Sequence, residues 1–241
     1  HCTNMRFMGS AKTRPHVQGG FREAFVVEAS QCHRVESHIG FGEAACAEPL
    51  AVCLHAAKQV DDLKGKRVLV TGVGPIGALC VAVAAQAGAR EIVATDLAEF
   101  PLGIARQMGA THAINVKESP EQLTGDVGRN GYFDIVFECS AAAAAIKSAI
   151  ELIRPRGTIV QVGVSGDTTL PLNVLVGKEV AFKGSMRFHA EFADAVKHIN
   201  ERTINVSPLI TQTFPLGDAE QALISAADRS SAMKVQLELG Q

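Results

Sequence analysis

The side chains and turns with the clearest chemistry in this sequence are Gly72, Gly74 and Gly77, spaced G-x-G-x-x-G, and Asp96 beyond them. Each has its own physical task. Gly72 permits a tight turn, Gly74 lets the backbone approach a pyrophosphate, and Gly77 lets a helix pack closely on a strand. A helix opening at Pro75 and Ile76 would point unpaired N–H groups at phosphate charge. Asp96 can accept hydrogen bonds from both hydroxyls of a ribose, and it would repel a 2′-phosphate. The residues after it, Leu97 to Pro101, include no Arg or Lys that would attract one. This is the equipment of a dinucleotide site, with NAD favoured over NADP. A methyltransferase turn would more often carry an acid just before the first glycine, where Val70 and Thr71 stand.

Other reactive side chains are sparser, and each has an ordinary reading. Glu48 precedes Pro49, as a helix-start acid stabilised by the dipole would. Arg187 reads equally as a surface ion-pair partner of little energetic weight. His55 falls on the helical face of Glu48 and reads as a packed histidine rather than a metal ligand. Cys46 and Cys53 flank Glu48 and read as small buried hydrophobes.

The glycine turn needs a strand before it and a helix after it, and the chain supplies both repeatedly. Strands are expected at 67–71, 91–95, 112–115, 133–138, 158–162 and 180–183. Helices are expected near 75–87, 101–108, 142–153 and 172–177, with Gly88, Gly109 and Gly157 at helix stops. Short Val/Ile-rich runs separated by helical crossovers predict an α/β fold, a doubly wound parallel Rossmann sheet. The flanks differ. Residues 19–29, "GGFREAFVVEA", alternate in period two and predict an antiparallel strand with Phe21, Glu23 and Phe25 on one face. The tail predicts a strand in "LITQTFPL", a helix at 217–227 and a strand in "AMKVQLEL". The dinucleotide domain is thus expected at 50–208, with residues 1–49 and 209–241 joining into a second, incomplete β-rich unit.

Composition narrows the function classes. The 241 residues carry 23 Lys+Arg against 25 Asp+Glu, which gives no basic footprint for nucleic acid. The cysteines at 2, 32, 46, 53, 80 and 139 form no CxxC pair, and this suits a reducing, cytoplasmic setting. No apolar run reaches the length needed to span a membrane.

Three stretches together carry a family resemblance: "CAEPLAVCLHAA" at 46–57, "VLVTGVGPIG" at 68–77 and "GSMRF" at 184–188. They resemble the zinc-dependent medium-chain dehydrogenases, in the polyol, sorbitol dehydrogenase-like branch, over essentially the whole chain. The resemblance implies NAD and zinc as cofactors and a GroES-like catalytic domain beside the Rossmann domain. It places Glu48 beside the catalytic zinc, directly or through water, and Ile76 and Asp96 along the cofactor. Val162, Gly163 and Val164 would meet the nicotinamide, as would Ser185, Met186 and Arg187, with Arg187 also facing substrate. Two positions depart from the pattern. Phe188 stands where the branch often has Tyr, and Pro101 where many relatives place a basic residue near the ribose.

Cys2 corresponds to the last of four cysteines in a structural zinc lobe. The remaining zinc ligands would lie upstream of His1, so the resemblance implies a C-terminal portion of an enzyme, with both zinc sites incomplete and no activity by itself. The implied reaction is oxidation of a secondary alcohol of a small sugar acid or polyol, with hydride passing to nicotinamide. A homo-oligomer, dimer or tetramer, is implied too, with 180–183 and 203–210 as candidate edges. Two rival readings stand beside this one. A non-catalytic dinucleotide-binding module or sensor would need no zinc ligands. A zinc-free medium-chain reductase would need neither Cys2 nor Glu48.

Overall fold

The structure, a computed structural model, describes residues 6–10, 13–22, 24–124 and 130–239. Cys2 and Glu23 lie outside the described residues. Its centre is a six-stranded parallel sheet in the order β3-β2-β1-β4-β5-β6. After two helices, α1 (Phe41–Ala44) and α2 (Ala47–Ala57), come β1 (Arg67–Thr71), α3 (Pro75–Gln86), β2 (Glu91–Asp96), α4 (Glu99–Gln107) and β3 (His112–Asn115). The second half runs α5 (Glu121–Thr124), β4 (Phe133–Glu138), α6 (Ala143–Leu152), β5 (Ile153–Gln161), α7 (Leu172–Gly177) and β6 (Ala181–Gly184). The strand order reverses between β1 and β4, the switch point where open α/β sheets leave a crevice.

Alternation along the central strands divides the core into two layers. Val68, Val70, Ile92, Ala94, Ile135 and Phe137 enter one apolar cluster, while Leu69, Val93, Val136 and Ile159 enter the other. Both faces are covered, so β1 shows no polar position between Val68 and Thr71. The helix α3 is buried from Gly77 to Ala84 because the sheet lies on one side of it and α2 on the other.

α8 (Glu191–Asn200), which the sequence reading did not anticipate, packs on α2 through buried Ala195, Val196 and Ile199. Glu191 joins the two helices, lying 3.2 Å from Lys58 Nζ and 3.4 Å from His55 Nδ1, and its carboxylate accepts the His189 N–H. His55 is therefore a packing and pairing residue, as read. Burial works to raise the Glu191 carboxyl, but the His189 N–H and the Lys58 and His55 side chains outweigh it and hold it down to about 2. A depressed carboxyl stabilises the fold above the unfolded value of about 4.3, and that contribution is lost as pH falls toward 2. Glu191→Gln is expected to cost about 1–3 kcal/mol at pH 7. In urea denaturation the gap between the two proteins should narrow steadily from pH 5 to pH 2; a gap independent of pH would contradict this.

Four features differ from expectation. Residues 24–28 and their described neighbours run without a strand partner, with Phe21, Phe25 and Val26 exposed. Period-two alternation is a capacity to pair, and among the described residues no second strand lies alongside to realise it. Gly157 is not a helix stop: α6 ends at Leu152, and β5 begins at Ile153 and runs through Gly157 with a register irregularity near its start. Residues 203–209 form no sheet edge, because Ile204, Val206 and Leu209 turn inward. Finally, α4 starts at Glu99, and Pro101 is buried in its first turn, where a missing N–H costs no helical bond.

The C-terminal end forms its own β-α-β unit: β7 (Ile210–Pro215), α9 (Ala219–Ala227) and β8 (Lys234–Glu238), the two strands pairing in parallel. It meets the earlier chain where Gln236 Nε2 donates to the Gly42 carbonyl at 2.9 Å. Residues 34–36 of the N-terminal arm instead lie on α8. Asn200 holds them, accepting from Glu36 N and donating to the Arg34 carbonyl, both at 3.0 Å.

Candidate active site

Parallel pairing brings the C-terminal ends of all six strands to one edge, and most of the candidate residues lie there. The turn after β1 is the tightest part. Gly72 has φ +76°, a region costly for other residues, and a Cβ on it would lie 2.6 Å from the Ser140 side chain. A Cβ on Gly77 would lie 2.0 Å from the Gly72 carbonyl oxygen, so the helix can approach the turn only with glycine there. Gly74 is different: a Cβ on it would meet nothing within 4 Å. It is the N-cap of α3, has no side-chain cap, and is followed by Pro75 at the helix start. Wedged glycines on either side of an open one leave bare backbone and a helix N-terminus facing free space. That is the cradle a pyrophosphate needs.

Asp96 closes β2 beside this turn. One carboxylate oxygen accepts the Val73 N–H at 2.9 Å, and the other accepts Leu97 N–H at 2.7 Å and Ala98 N–H at 3.2 Å. The acid thus braces the glycine turn besides offering acceptor capacity to a ribose.

Across the switch point, Val162 and Gly163 donate their N–H groups to the Glu138 carbonyl, and a Cβ on Gly163 would lie 2.7 Å from Ala141 N. Val164 is exposed. The next strand end carries Ser185, whose N–H donates to the Gln161 carbonyl, then exposed Met186 and half-buried Arg187. Arg187 has φ +55°, and its guanidinium lies 3.8 Å from the centre of the Phe7 ring in the N-terminal arm. Gln161 Oε1, Ser185 Oγ and Arg187 Nε are buried without a hydrogen-bond partner. Three orphaned polar atoms on two neighbouring strand ends are costly unless a ligand meets them, and a nicotinamide carboxamide or ribose has the right groups. The dinucleotide therefore fits this edge by two independent observations.

Glu48 stands apart from the edge, exposed in the first turn of α2. That helix packs on α3, and Cys53 Sγ contacts the Ile76 carbonyl at 3.3 Å, so α2 reaches the glycine turn from behind. Cys46 and Cys53 are buried, as small hydrophobes would be, and burial pushes both thiols up. Ile76 is half-buried at the start of α3. Among the described residues no group of three or more His, Cys, Asp or Glu side chains is placed to hold a metal ion. The described residues therefore do not make up a zinc site.

One important residue escaped sequence reading. Glu138, at the end of β4, is completely buried, and its carboxylate accepts from Thr71, Ser140, Ala141 and Gln161. The available signal was an acid closing the apolar strand "FDIVFE", as Asp96 closes "EIVATD".

Comparison with known proteins returns the family that the sequence resembles. Residues 75–201 match the zinc-binding dehydrogenase family. The chain is 42% identical over 237 residues to L-idonate 5-dehydrogenase (NAD(P)(+)) of Escherichia coli K12, covering 98% of this chain and 68% of that one. It is 35% identical to sorbitol dehydrogenase of Macaca fascicularis, covering 86% of this chain and 59% of that one. The crystal structure of the Escherichia coli L-idonate 5-dehydrogenase superposes with a TM-score of 0.93 at 41% identity, covering 99% of this chain and 68% of that chain. The chain thus spans roughly three-fifths to two-thirds of the length of the proteins it matches.

Proposed function

The chain belongs to the zinc-binding dehydrogenases, and from that premise we propose that it is the cofactor-holding part of an NAD-linked oxidoreductase acting on a secondary alcohol of a sugar acid or polyol. The relative of 42% identity supports L-idonate 5-dehydrogenase as the specific activity, and the sorbitol dehydrogenases keep polyols in the substrate class. The observation that carries the reading is the open Gly74 between wedged Gly72 and Gly77, with Asp96 at the adjoining strand end.

When bound, the dinucleotide supplies the nicotinamide carbon that takes up the hydride. The protein's own residues bind and orient. Gly74 admits the pyrophosphate to the N-terminus of α3, where Pro75 and Ile76 begin the helix. Asp96 accepts from the adenosine ribose. Val162, Gly163, Val164, Ser185 and Met186 border the nicotinamide, and the orphaned Gln161 and Ser185 oxygens give it partners. Arg187 turns its remaining donors toward substrate hydroxyls or a carboxylate. Glu48 and Cys2 are the chain's contributions to the family's catalytic and structural zinc sites.

Within this reading residues 50–208 are the dinucleotide domain, and 1–49 and 209–241 belong to the catalytic domain. The enzyme works in the cytoplasm as a homo-oligomer, a dimer or tetramer joined along β6, one of the two edge strands of the sheet among the described residues. Light scattering at the monomer mass would remove that last part.

Asp96 provides the test. NADH is expected to bind more tightly than NADPH, because the carboxylate repels a 2′-phosphate. Asp96→Ala should shrink the ratio about tenfold, roughly 1.4 kcal/mol. The ratio is the proper readout, since Asp96 also braces Val73 and its loss weakens both ligands. Equal affinities in the unmodified chain would overturn the NAD assignment.

A further inference from the structure

We propose that Glu138 is a positioning residue that fixes the spacing between the pyrophosphate-side and nicotinamide-side turns of the cleft, without touching the cofactor itself. The inference rests on the dinucleotide reading above and adds a residue that reading does not use.

The geometry points to it directly. Glu138 sits at the end of β4, the strand between the two halves of the edge, and is 0% exposed. On the pyrophosphate side its Oε1 accepts from Thr71 Oγ1 at 3.3 Å, one residue before Gly72. On the nicotinamide side its Oε2 accepts from Gln161 Nε2 at 2.5 Å, and the same amide nitrogen donates to the Gly163 carbonyl at 2.8 Å. The Glu138 backbone carbonyl accepts from Val162 N at 2.9 Å and Gly163 N at 2.8 Å. Between these, the carboxylate accepts from Ser140 N at 3.0 Å, from the Ser140 hydroxyl, and from Ala141 N at 3.1 Å to each oxygen.

Those middle bonds hold a strained turn. Ala141 has φ +60°, unfavourable for a residue with a Cβ and sustained only where surroundings fix it. The turn is also the piece against which both glycines close. Ser140 fills the space beside Gly72, and Ala141 fills the space beside Gly163. One carboxylate therefore sets three strand ends and the wedge between them. Such a network is stiff when every donor is met and costly when one is not.

Gln is a demanding replacement at this position. Both oxygens accept only from donors, so an amide NH2 on either side would face another N–H or O–H. The fold keeps its volume while the turn relaxes.

The experiment compares AMP, which reaches only the adenosine half, with NADH, which must span both. For Glu138→Gln, the NADH dissociation constant is expected to rise at least about tenfold, and that of AMP to stay within about twofold. The emission of bound NADH should move toward that of free NADH. Thr71→Val, which removes a single donor, should raise the NADH constant about threefold with the same bias. This milder variant decides the matter if Glu138→Gln does not fold. AMP and NADH weakened alike would make Glu138 an ordinary structural residue and overturn the proposal, as would NADH binding unchanged in either variant. An unmodified chain that binds neither ligand overturns the dinucleotide reading as well.

Discussion

Gly77→Ala is expected to destabilise the protein by about 3 kcal/mol or more and to abolish NADH binding. The reason is a distance: the added Cβ would lie 2.0 Å from the Gly72 carbonyl oxygen, a backbone atom that no side-chain rotation can move aside. Relief requires α3 to lift from β1, and α3 is buried from Gly77 to Ala84 between the sheet and α2. Overpacked positions of this kind belong to the severe end of the substitution range. For a chain of this size the melting temperature should fall by roughly 10 °C. Gly74→Ala is the matched comparison. Its Cβ meets no protein atom within 4 Å, so only the change at the helix N-cap affects the fold, about 1 kcal/mol or less. Its NADH affinity should nevertheless fall at least tenfold, because the methyl group stands where the pyrophosphate would. Thermal melting and NADH titration of the pair separate packing from binding. Gly77→Ala melting like the unmodified chain would show that the turn does not have this geometry.

The second large effect is expected at Arg187, in a chain that carries the complete set of zinc ligands. Arg187 follows β6 at the edge where open α/β sheets bind ligands, and its Nε is buried without a partner. The guanidinium lies over the Phe7 ring, 3.8 Å from its centre. Five fixed donors suit a polyhydroxy chain or carboxylate better than a simple alcohol. Arg187→Ala should lower kcat/KM for L-idonate by ~2–4 kcal/mol of transition-state stabilisation, with a smaller loss of NADH affinity. Lys at this position should recover activity only in part, because the planar fork is lost. Unchanged kcat/KM for both L-idonate and sorbitol would make Arg187 a surface residue and displace the substrate from this edge.

Much of this arrangement was legible because parallel strands buried on both faces have a simple signature. The run from Val68 to Thr71 has no polar break, a glycine turn follows, and an apolar helix follows the turn; local sequence alone implies that order. The glycine turn and Asp96 were legible for the same reason, since they act within one β-α-β unit. Glu138 was not, because its partners Thr71, Ser140 and Gln161 come from three strand ends that only the sheet order brings together. The N-terminal arm failed in the opposite direction. Alternation at 19–29 is a local property, whereas strand formation needs a neighbour, and among the described residues none pairs with it; Phe21 and Val26 stay exposed. Gly157 was misplaced because a glycine marks either a stop or a close approach. Here it is the second, with the Ile153 side chain 2.6 Å from where its Cβ would be.

Whether the carboxyl edge of the six-stranded sheet holds NAD is decided by fluorescence titration of the unmodified 241-residue chain with NADH. One NADH is expected to bind saturably per chain, more tightly than NADPH, with binding lost on Gly74→Ala. NADH that fails to saturate, or that binds equally well to the Gly74→Ala protein, would contradict this.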